Sequence, residues 1–271
     1  MKILVTGNLG YIGPVLISKL NLKGYETIGF DTDYFQNYEM LSEIEKPNKQ
    51  IFKDLRNLEK EDLIGVDGII HLGGLSNDPI GKLDFNLTYN INFQSSKNLL
   101  ELASKLNVKR FIFASSCSIY GASGNKSDFL NETASLNPVS AYAYSKVFFE
   151  KLLLEYSTEQ FCVSSMRNAT AYGASPTTRF DLVLNDFVAN AISRKSIDIL
   201  SNGTPWRPLV HVNDISEVCL LLLKAEIKEI NGQVYNIGTN EINYTVKELA
   251  EKVSRTINNS TKINILGKDD K

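Results

Sequence analysis

The amino-terminal segment, Lys2-Ile-Leu-Val-Thr-Gly-Asn-Leu-Gly-Tyr-Ile-Gly13, constrains the fold of this chain more than any other. Residues Ile3–Thr6 are apolar or β-forming, and they predict a fully buried parallel strand. Gly7, Gly10 and Gly13 follow at three-residue spacing and lead into a helical stretch. This order predicts a phosphate site, because glycines let a phosphate approach the backbone and the helix N-terminus offers free N–H groups.

The next apolar run supports a dinucleotide site. It ends in Asp31, eighteen residues after Gly13, where a dinucleotide-binding fold places an acid on the adenosine ribose hydroxyls. A carboxylate at this position would repel a 2′-phosphate, so NAD is favoured over NADP. Two alternatives stay open: Asp31 simply opens a loop, or Asp33 contacts the ribose in a shifted register.

Composition excludes several classes of protein. The chain has 271 residues, 43% of them hydrophobic and 22% charged, as expected for an ordinary globular protein with one large domain or a large domain and a small appendage. A net charge of −2 without a basic block argues against nucleic acid and membrane surfaces as partners. Only two histidines are present, which argues against a histidine-based metal site. The three cysteines are Cys117, Cys162 and Cys219. They are odd in number, widely spaced and not in a metal-binding pattern, which fits reduced thiols, so we expect a cytoplasmic location.

Strands and helices alternate along the first two thirds of the chain. The predicted strands are Lys2–Thr6, Glu26–Asp31, Gln50–Lys53, Gly68–Leu72, Arg110–Ala114 and Phe161–Met166. The predicted helices are Tyr11–Leu22, Glu59–Leu63, Asp84–Leu106 and Val139–Ser157. Alternation of this kind predicts an α/β fold with a doubly wound parallel sheet of the Rossmann type. Ligands of such sheets bind at the carboxyl ends of the strands.

Polar or small residues follow three of these strands. Asp54 and Leu55 follow the third strand and are predicted to contact adenine, although Asp54 could equally cap the short helix after it. The glycine pair in His71-Leu-Gly-Gly-Leu-Ser76 brings backbone close to a ligand or forms a structural turn. Three hydroxyl residues follow the fifth strand: Ser115, Ser116 and Ser118. They are either functional-site residues or turn residues.

The segment Asn137–Lys146 carries the strongest catalytic signal. Asn137 and Pro138 are predicted to open a helix on which Tyr142 and Lys146, four residues apart, share a face. A free tyrosine has a pKa of about 10, and a nearby ammonium group favours its phenolate form. Together with a serine hydroxyl, this pair can take a proton from a sugar alcohol while a hydride leaves the carbon for a nicotinamide ring.

With these motifs the chain resembles the extended short-chain dehydrogenases/reductases, specifically the NAD-dependent epimerase/dehydratase group that acts on nucleotide sugars. The resemblance covers nearly all 271 residues. It implies that Ser116, Tyr142 and Lys146 are catalytic. It also implies that NAD contacts Gly7, Gly10, Tyr11, Ile12, Gly13, Asp31, Asp54, Leu55, Leu72, Gly73, Gly74, Asn90, Tyr142 and Lys146.

The resemblance assigns residues 1–166 to the NAD-binding domain and residues 167–271 mainly to a smaller substrate-binding lobe, with some segments returning to the sheet. Because members of the family continue for several tens of residues beyond the equivalent of Lys271, we expect this lobe to be truncated; the alternative is that the protein is short. The implied substrate contacts are Ser76, Ser116, Ser118, Tyr142, Thr170, Arg179, Asn185 and Arg207.

Three positions in the predicted lobe carry alternatives. Arg207 suits a bidentate contact to a diphosphate, or it forms a surface ion pair. Arg179 is a second anion contact or a solvated loop residue. Thr170 stands where most members of the family have asparagine, which weakens the predicted contact to the substrate diphosphate. His211 is interpreted as a buried structural histidine.

The resemblance leaves the reaction partly open. Dehydratases and decarboxylases of the family typically carry an acid just after the catalytic hydroxyl, where this chain has Cys117 and Ser118. We therefore predict 4-epimerisation of a nucleotide sugar through a 4-keto intermediate. The alternatives are a nucleotide-sugar 4-dehydrogenase or 4-keto reductase and, less favoured, a non-catalytic NAD sensor or scaffold.

A homodimer is also predicted, because two helices carry more apolar residues than one sheet can cover. These residues are Leu99, Leu100, Leu102, Leu106, Val147, Phe148, Phe149, Leu152, Leu153 and Leu154. The alternative is that the C-terminal lobe buries them.

Overall fold

A computed structural model describes residues 1–34, 45–76, 84–121, 129–257 and 259–267. The strands are β1 (Lys2–Thr6), β2 (Glu26–Asp31), β3 (Lys49–Phe52), β4 (Gly68–His71), β5 (Arg110–Ser116), β6 (Cys162–Asn168), β7 (Thr170–Tyr172), β8 (Ser196–Ile199), β9 (Trp206–His211), β10 (Gln233–Ile237), β11 (Asn243–Thr245) and β12 (Lys262–Ile265). The helices are α1 (Gly13–Leu22), α2 (Phe85–Tyr89), α3 (Ser95–Lys105), α4 (Ala141–Glu155), α5 (Val183–Arg194), α6 (Val212–Lys224), α7 (Ile227–Ile230) and α8 (Val246–Ile257). Short 3₁₀ turns occupy Leu55–Asn57, Lys60–Leu63 and Cys117–Tyr120.

The chain divides into two compact units. The first comprises Met1–Asn168, Ser175–Thr177 and Asn213–Ile237. The second comprises Ala169–Ala174, Thr178–Val212 and Gly238–Lys271.

A seven-stranded parallel sheet forms the centre of the first unit, in the order β10-β6-β5-β4-β1-β2-β3. The chain reverses its winding direction between β1 and β4, which is the switch point where sheets of this kind bind ligands. All six predicted strands are present, and the prediction of a doubly wound parallel sheet is confirmed. The segment that returns to the sheet is β10, paired with β6 from Gln233 to Ile237.

The fifth and sixth strands both end two residues later than predicted, at Ser116 and Asn168. The predicted fifth strand stops at Ala114, whereas β5 continues through Ser115 and Ser116 because β6 pairs with it to Asn168. Ser116 is therefore the last residue of a strand that is hydrogen-bonded to its neighbour, and it is not part of a free loop.

The predicted helix Asp84–Leu106 is divided by a π-helical turn at Asn90–Gln94, between α2 and α3. The hydroxyl of Ser95 donates to the carbonyl of Ile91, and the hydroxyl of Ser96 donates to the carbonyl of Asn92. Side chains that bond the carbonyl four residues back perturb the helical ladder. Single π turns of this kind occur frequently at functional sites.

The second unit holds a three-stranded sheet, β11-β9-β7, and the two-stranded β12-β8. Helices α5 and α8 share one apolar core with these strands, for which Ile197, Ile199, Leu209, Leu249 and Ala250 provide fully or nearly fully buried side chains. Among the described residues of the whole chain, no helix combines the length and apolar character required to cross a membrane. The same residues contain no cluster of three or more His, Cys, Asp and Glu that could hold a metal.

Candidate active site

The glycine turn after β1 can accept little but glycine at two positions. Gly7 has a φ of +71°, and a Cβ atom there would lie 2.8 Å from the backbone nitrogen of Gly73. A Cβ atom on Gly13 would lie 2.4 Å from the Cα atom of Asn8. The N–H of Gly7 donates to the carbonyl of Phe30 (2.9 Å), and that of Gly10 donates to the carbonyl of Gly7 (3.2 Å). The turn is therefore tight and held against β2, as a phosphate cradle requires.

The N-terminus of α1 follows this turn with its positive end uncompensated. Ile12 occupies the N-cap position without a side-chain hydrogen bond, Pro14 lies in the first turn, and that turn contains no acidic residue. The carbonyl of Tyr11 accepts a hydrogen bond from Ser175 (2.6 Å), which fixes the backbone just before the helix. N–H groups here fit the pyrophosphate of a dinucleotide by charge and hydrogen bonding.

Asp31 ends β2 and connects the predicted ribose position to the glycine turn. Its Oδ2 accepts from the N–H of Leu9 (3.0 Å), and its Oδ1 accepts from the N–H of Asp33 (3.2 Å). A carboxylate has about four acceptor sites, so it can also accept ribose hydroxyls. Asp33 lies in a left-handed turn with a φ of +59°. The structure thus places Asp31, and not Asp33, at the strand end beside the glycines.

Asp54 adopts the capping arrangement that the sequence left as an alternative. Its Oδ1 accepts from the N–H of Arg56 (2.8 Å), and its carboxylate pairs with the guanidinium group of the same residue (2.7 Å). The hydrogen bonds and charge of Arg56 lower the pKa of Asp54. Leu55 follows in the 3₁₀ turn and is buried. Contact of Asp54 and Leu55 with adenine stays a prediction.

The loop after β4 contains Leu72, Gly73, Gly74 and Ser76, and hydrogen bonds from other segments hold it. The N–H of Gly73 donates to Thr6 Oγ1 (3.1 Å). Leu75 is held through both backbone groups by the side chain of Asn92, at 2.7 and 2.8 Å.

Asn92 is the residue that sequence reasoning missed. The predicted cofactor residue Asn90 is exposed at the start of the π turn, whereas Asn92 is buried. Asn92 Nδ2 also donates to Ser145 Oγ (3.2 Å), and this hydroxyl donates to the carbonyl of Tyr142 (2.7 Å). Residue type could not separate the two asparagines, because only the π turn decides which of them faces inward.

Tyr142 and Lys146 lie on α4, one turn apart. The helix begins at Ala141, and Ser140 caps it by accepting from the N–H of Ala143 (3.2 Å). The prediction that Asn137 and Pro138 open this helix is therefore wrong. The serine cap provides the acceptor that the first turn needs.

Lys146 connects the tyrosine to the end of β5. Its Nζ lies 5.5 Å from the centroid of the Tyr142 ring and donates to the carbonyl of Ala114 (2.7 Å), two residues before Ser116. Burial lowers the pKa of Lys146 to about 7. Ser116 Oγ accepts from the N–H of Ser118 (3.2 Å), and the hydroxyl of Ser118 is buried without a hydrogen-bond partner in the part of the chain described. The structure thus brings the ammonium group of Lys146, the Tyr142 ring and the Ser116 segment together at one strand end.

A buried ion pair joins α4 to β6 next to this region. Arg167 on β6 donates through Nε to Glu150 on α4 (3.1 Å), and both side chains are almost fully buried. Arg167 also donates to Tyr120 Oη (2.8 Å), which in turn donates to Asn236 on β10 (2.6 Å). These bonds fix the 3₁₀ turn that follows Ser116.

Asn185, Arg179 and Thr170 are predicted substrate residues that belong to the second unit. Asn185 accepts from the N–H of Gly173 (3.3 Å) and donates to the carbonyl of Arg179 (2.9 Å). The guanidinium group of Arg179 pairs with Asp181 (2.6 Å), which competes with any anionic ligand. Thr170 begins β7.

Arg207 and His211 lie on β9. Arg207 is exposed and donates to the carbonyl of Trp206 (2.8 Å), and within the described ranges it forms no salt bridge. His211 packs edge-on against Tyr172, with ring centroids 5.1 Å apart. It is partly buried, where the sequence predicted a buried histidine.

Comparison with known proteins places the chain in a family. The profile of the NAD dependent epimerase/dehydratase family matches residues 3–238. The chain is 26% identical over 284 residues to a UDP-glucose 4-epimerase of Bacillus subtilis, covering 94% of this chain and 82% of that protein. It is 27% identical over 272 residues to a dTDP-D-glucose 4,6-dehydratase of Homo sapiens, covering 94% and 74%. A solved UDP-glucuronic acid 4-epimerase from Bacillus cereus, in complex with UDP-glucuronic acid and NAD, is 26% identical with a TM-score of 0.83, covering 98% of this chain and 86% of that one.

The profile spans most of the chain, including the glycine turn, Asp31, the Tyr142–Lys146 pair and β10. The glycine cradle and the uncapped start of α1 fit the pyrophosphate of the cofactor that this family uses. The chain is therefore an enzyme of the NAD-dependent epimerase/dehydratase family of nucleotide-sugar enzymes, and its cofactor is NAD.

Proposed function

We propose that this enzyme epimerises a nucleotide sugar at C4 through a 4-keto intermediate. The observation that carries the proposal is the position of Lys146, whose ammonium group lies beside the Tyr142 ring and is bonded to the β5 strand that ends in Ser116. A base, a charge that favours its phenolate form and a hydroxyl are the groups that reversible oxidation of an alcohol needs.

Each residue has a distinct role in this scheme. Tyr142 takes the proton of the C4 hydroxyl as the carbonyl forms, and returns it when the carbonyl is reduced. In its protonated form Lys146 stabilises the phenolate through its positive charge, and the phenolate in turn favours that protonated form. Ser116 orients the sugar oxygen by a hydrogen bond. When bound, NAD supplies the chemistry of hydride acceptance and return, so no net oxidation occurs.

The residues after Ser116 favour epimerisation over elimination or decarboxylation. Cys117 and Ser118 follow the catalytic hydroxyl directly, and neither side chain is a carboxylic acid. Neither residue therefore provides a carboxylate base that could remove the proton from C5 of the sugar. A nucleotide-sugar 4-dehydrogenase or 4-keto reductase would use the same three residues, and differs only in whether the keto sugar leaves the enzyme. A non-catalytic NAD sensor is disfavoured because Tyr142 and Lys146 are both present.

The proposed substrate contacts are those implied by the family resemblance. Arg207 is the first choice for the diphosphate, because it is exposed and its guanidinium group forms no salt bridge among the described residues. Arg179 is a weaker candidate because Asp181 already pairs with it. The remaining proposed contacts are Ser76, Ser116, Ser118, Tyr142, Thr170 and Asn185.

A homodimer through α3 and α4 stays a prediction. Four of the ten apolar residues behind it are buried in the main core of the first unit: Leu99, Leu100, Phe149 and Leu153. Phe148, by contrast, is 42% exposed, and its ring lies 6.2 Å from that of Phe93. Light scattering at micromolar concentration tests the proposal, and a monomer would contradict it.

A cytoplasmic location also stays a prediction, supported by three cysteines without disulfides.

The decisive experiment is a panel of UDP-, GDP-, CDP- and dTDP-sugars incubated with the enzyme and NAD. We expect NMR to show exchange between C4 epimers without net NADH absorbance at 340 nm. Accumulating NADH would instead identify a dehydrogenase.

Tyr142→Phe should reduce turnover by at least about a hundredfold, because it removes the general base but keeps the ring. Tyr144→Phe is the matched control, since Tyr144 lies on the same helix and is 40% exposed. Equal turnover of Tyr142→Phe and the wild type would disprove the catalytic assignment.

A further inference from the structure

His71, the last residue of β4, takes no part in the chemistry described above, yet two short hydrogen bonds hold its ring. Its Nδ1 lies 2.6 Å from Thr6 Oγ1 at the end of β1, and its Nε2 lies 2.7 Å from Ser96 Oγ on α3. The side chain is fully buried, with the rings of Phe111, Phe113 and Phe149 around it. A polar group with two partners in such surroundings specifies the relative positions of the segments that provide them.

The other bonds of these hydroxyls fix the direction of each hydrogen bond. Ser96 Oγ donates its single proton to the carbonyl of Asn92 (2.8 Å), so it must accept from His71 Nε2–H. His71 Nδ1 is then unprotonated and accepts from the hydroxyl of Thr6. Thr6 Oγ1 in turn accepts from the N–H of Gly73 (3.1 Å). A single directed chain therefore runs from Gly73 N–H through His71 to the carbonyl of Asn92.

Protonation does not disturb this tautomer at ordinary pH. Burial, together with the charge of Lys146, lowers the pKa of His71 to about 3. The imidazole is therefore neutral near pH 7, and its lone pair stays available to Thr6.

The chain of bonds ends on segments that surround the NAD site. Thr6 precedes Gly7 of the phosphate turn, and Gly73 is the residue that a Cβ on Gly7 would touch. At the other end, Asn92 holds both backbone groups of Leu75 and bonds Ser145 on the helix of Tyr142. His71 thus joins the glycine turn to the π turn, with the loop at residues 72–75 attached to both.

We propose that His71 is a positioning residue for NAD: by joining Thr6 to Ser96 it holds the loop at residues 72–75 in the arrangement that binds the cofactor. Its effect passes through these two hydroxyls, and not through contact with NAD. The proposal concerns cofactor affinity alone, so it does not depend on which sugar is the substrate.

Two nearly isosteric variants, Thr6→Val and Ser96→Ala, break the chain of bonds on either side of the histidine. Each leaves a buried group without its partner, and we expect each to weaken NAD binding by about fivefold to tenfold in isothermal titration calorimetry. In the double variant the loss should be smaller than the product of the two single losses, because both act through His71. Ser164→Ala is the matched control, since this buried hydroxyl on β6 has no partner in the part of the chain described. It should leave NAD affinity unchanged.

A second measurement separates positioning from general stability. The hydroxyl of Ser96 bonds His71 and Asn92, whereas the N–H of Gly73 bonds Thr6. Ser96→Ala should nevertheless increase amide hydrogen exchange at Gly73, because the change is transmitted through His71 and Thr6. Amides in the middle of β6 should keep their protection. The proposal is overturned if Thr6→Val and Ser96→Ala lower only the unfolding midpoint while NAD affinity and Gly73 exchange stay at their wild-type values.

Discussion

Lys146 is proposed to act in catalysis, and its burial is expected to destabilise the fold. Its side chain is 6% exposed, and burial lowers its pKa from 10.5 to about 7. Below pH 7 a difference of this size corresponds to about 5 kcal/mol of unfavourable folding free energy, as an upper limit. The hydrogen bond from Nζ to the carbonyl of Ala114 offsets only part of it.

The sign of the pH dependence follows from proton binding. Between pH 7 and pH 10.5 the unfolded chain binds this proton and the folded chain does not, so the free energy of unfolding should rise with pH. We expect a rise of about 2 kcal/mol from pH 7 to pH 9 that is present in the wild type and absent in Lys146→Met. At pH 7 the variant should be more stable than the wild type by at least about 2 kcal/mol, and it should lose turnover.

Urea denaturation followed by far-UV circular dichroism at pH 6, 7, 8 and 9 measures these free energies. Lys151→Met is the matched control, because Lys151 lies on the same helix with an exposed side chain. It should match the wild type in turnover and in pH dependence. The reasoning would be refuted by a Lys146→Met variant whose free energy of unfolding has the same pH dependence as that of the wild type.

Two further predictions concern backbone fit and buried charge. Gly7→Ala should abolish detectable NAD binding in calorimetry, because the new Cβ atom would lie 2.8 Å from the backbone nitrogen of Gly73. Gly24→Ala is the control: Gly24 has a similar φ of +78°, and its Cβ atom would have nothing within 4 Å. The control should lower the free energy of unfolding by only about 1 to 2 kcal/mol. Equal NAD affinity in the two variants would contradict this. Arg167→Met should lower the free energy of unfolding by about 3 to 5 kcal/mol, because it leaves Glu150 buried without its partner. Adding Glu150→Leu should restore most of that loss in urea denaturation, and a single-variant loss below about 1 kcal/mol would argue against it.

Local signals were sufficient for the outline of the cofactor domain. The bounds of β1 and β2 agree with the prediction, and Gly7, Gly13 and Asp31 lie where the spacing of strand, turn and helix placed them. These features depend on residues close together in sequence, so a linear pattern encodes them. Tyr142 and Lys146 share a helix face for the same reason.

The bounds that were wrong depend on which groups bond the backbone at the ends of the elements. Ser116 belongs to β5 because β6 extends the pairing to Asn168. The start of α4 at Ala141 depends on which side chain captures the first free N–H groups, and Ser140 does so.

The sequence by itself determined the parallel sheet, the glycine turn and the position of Tyr142 and Lys146 one turn apart on a helix, because short-range spacing and hydrophobic pattern specify them. Only the tertiary structure decided that Asn92, and not Asn90, faces inward, and that His71 joins Thr6 to Ser96. Thr6 and His71 are 65 residues apart in sequence, and no periodic pattern connects them. Their hydrogen bond exists because parallel pairing of β1 with β4 places the two residues side by side at the carboxyl end of the sheet.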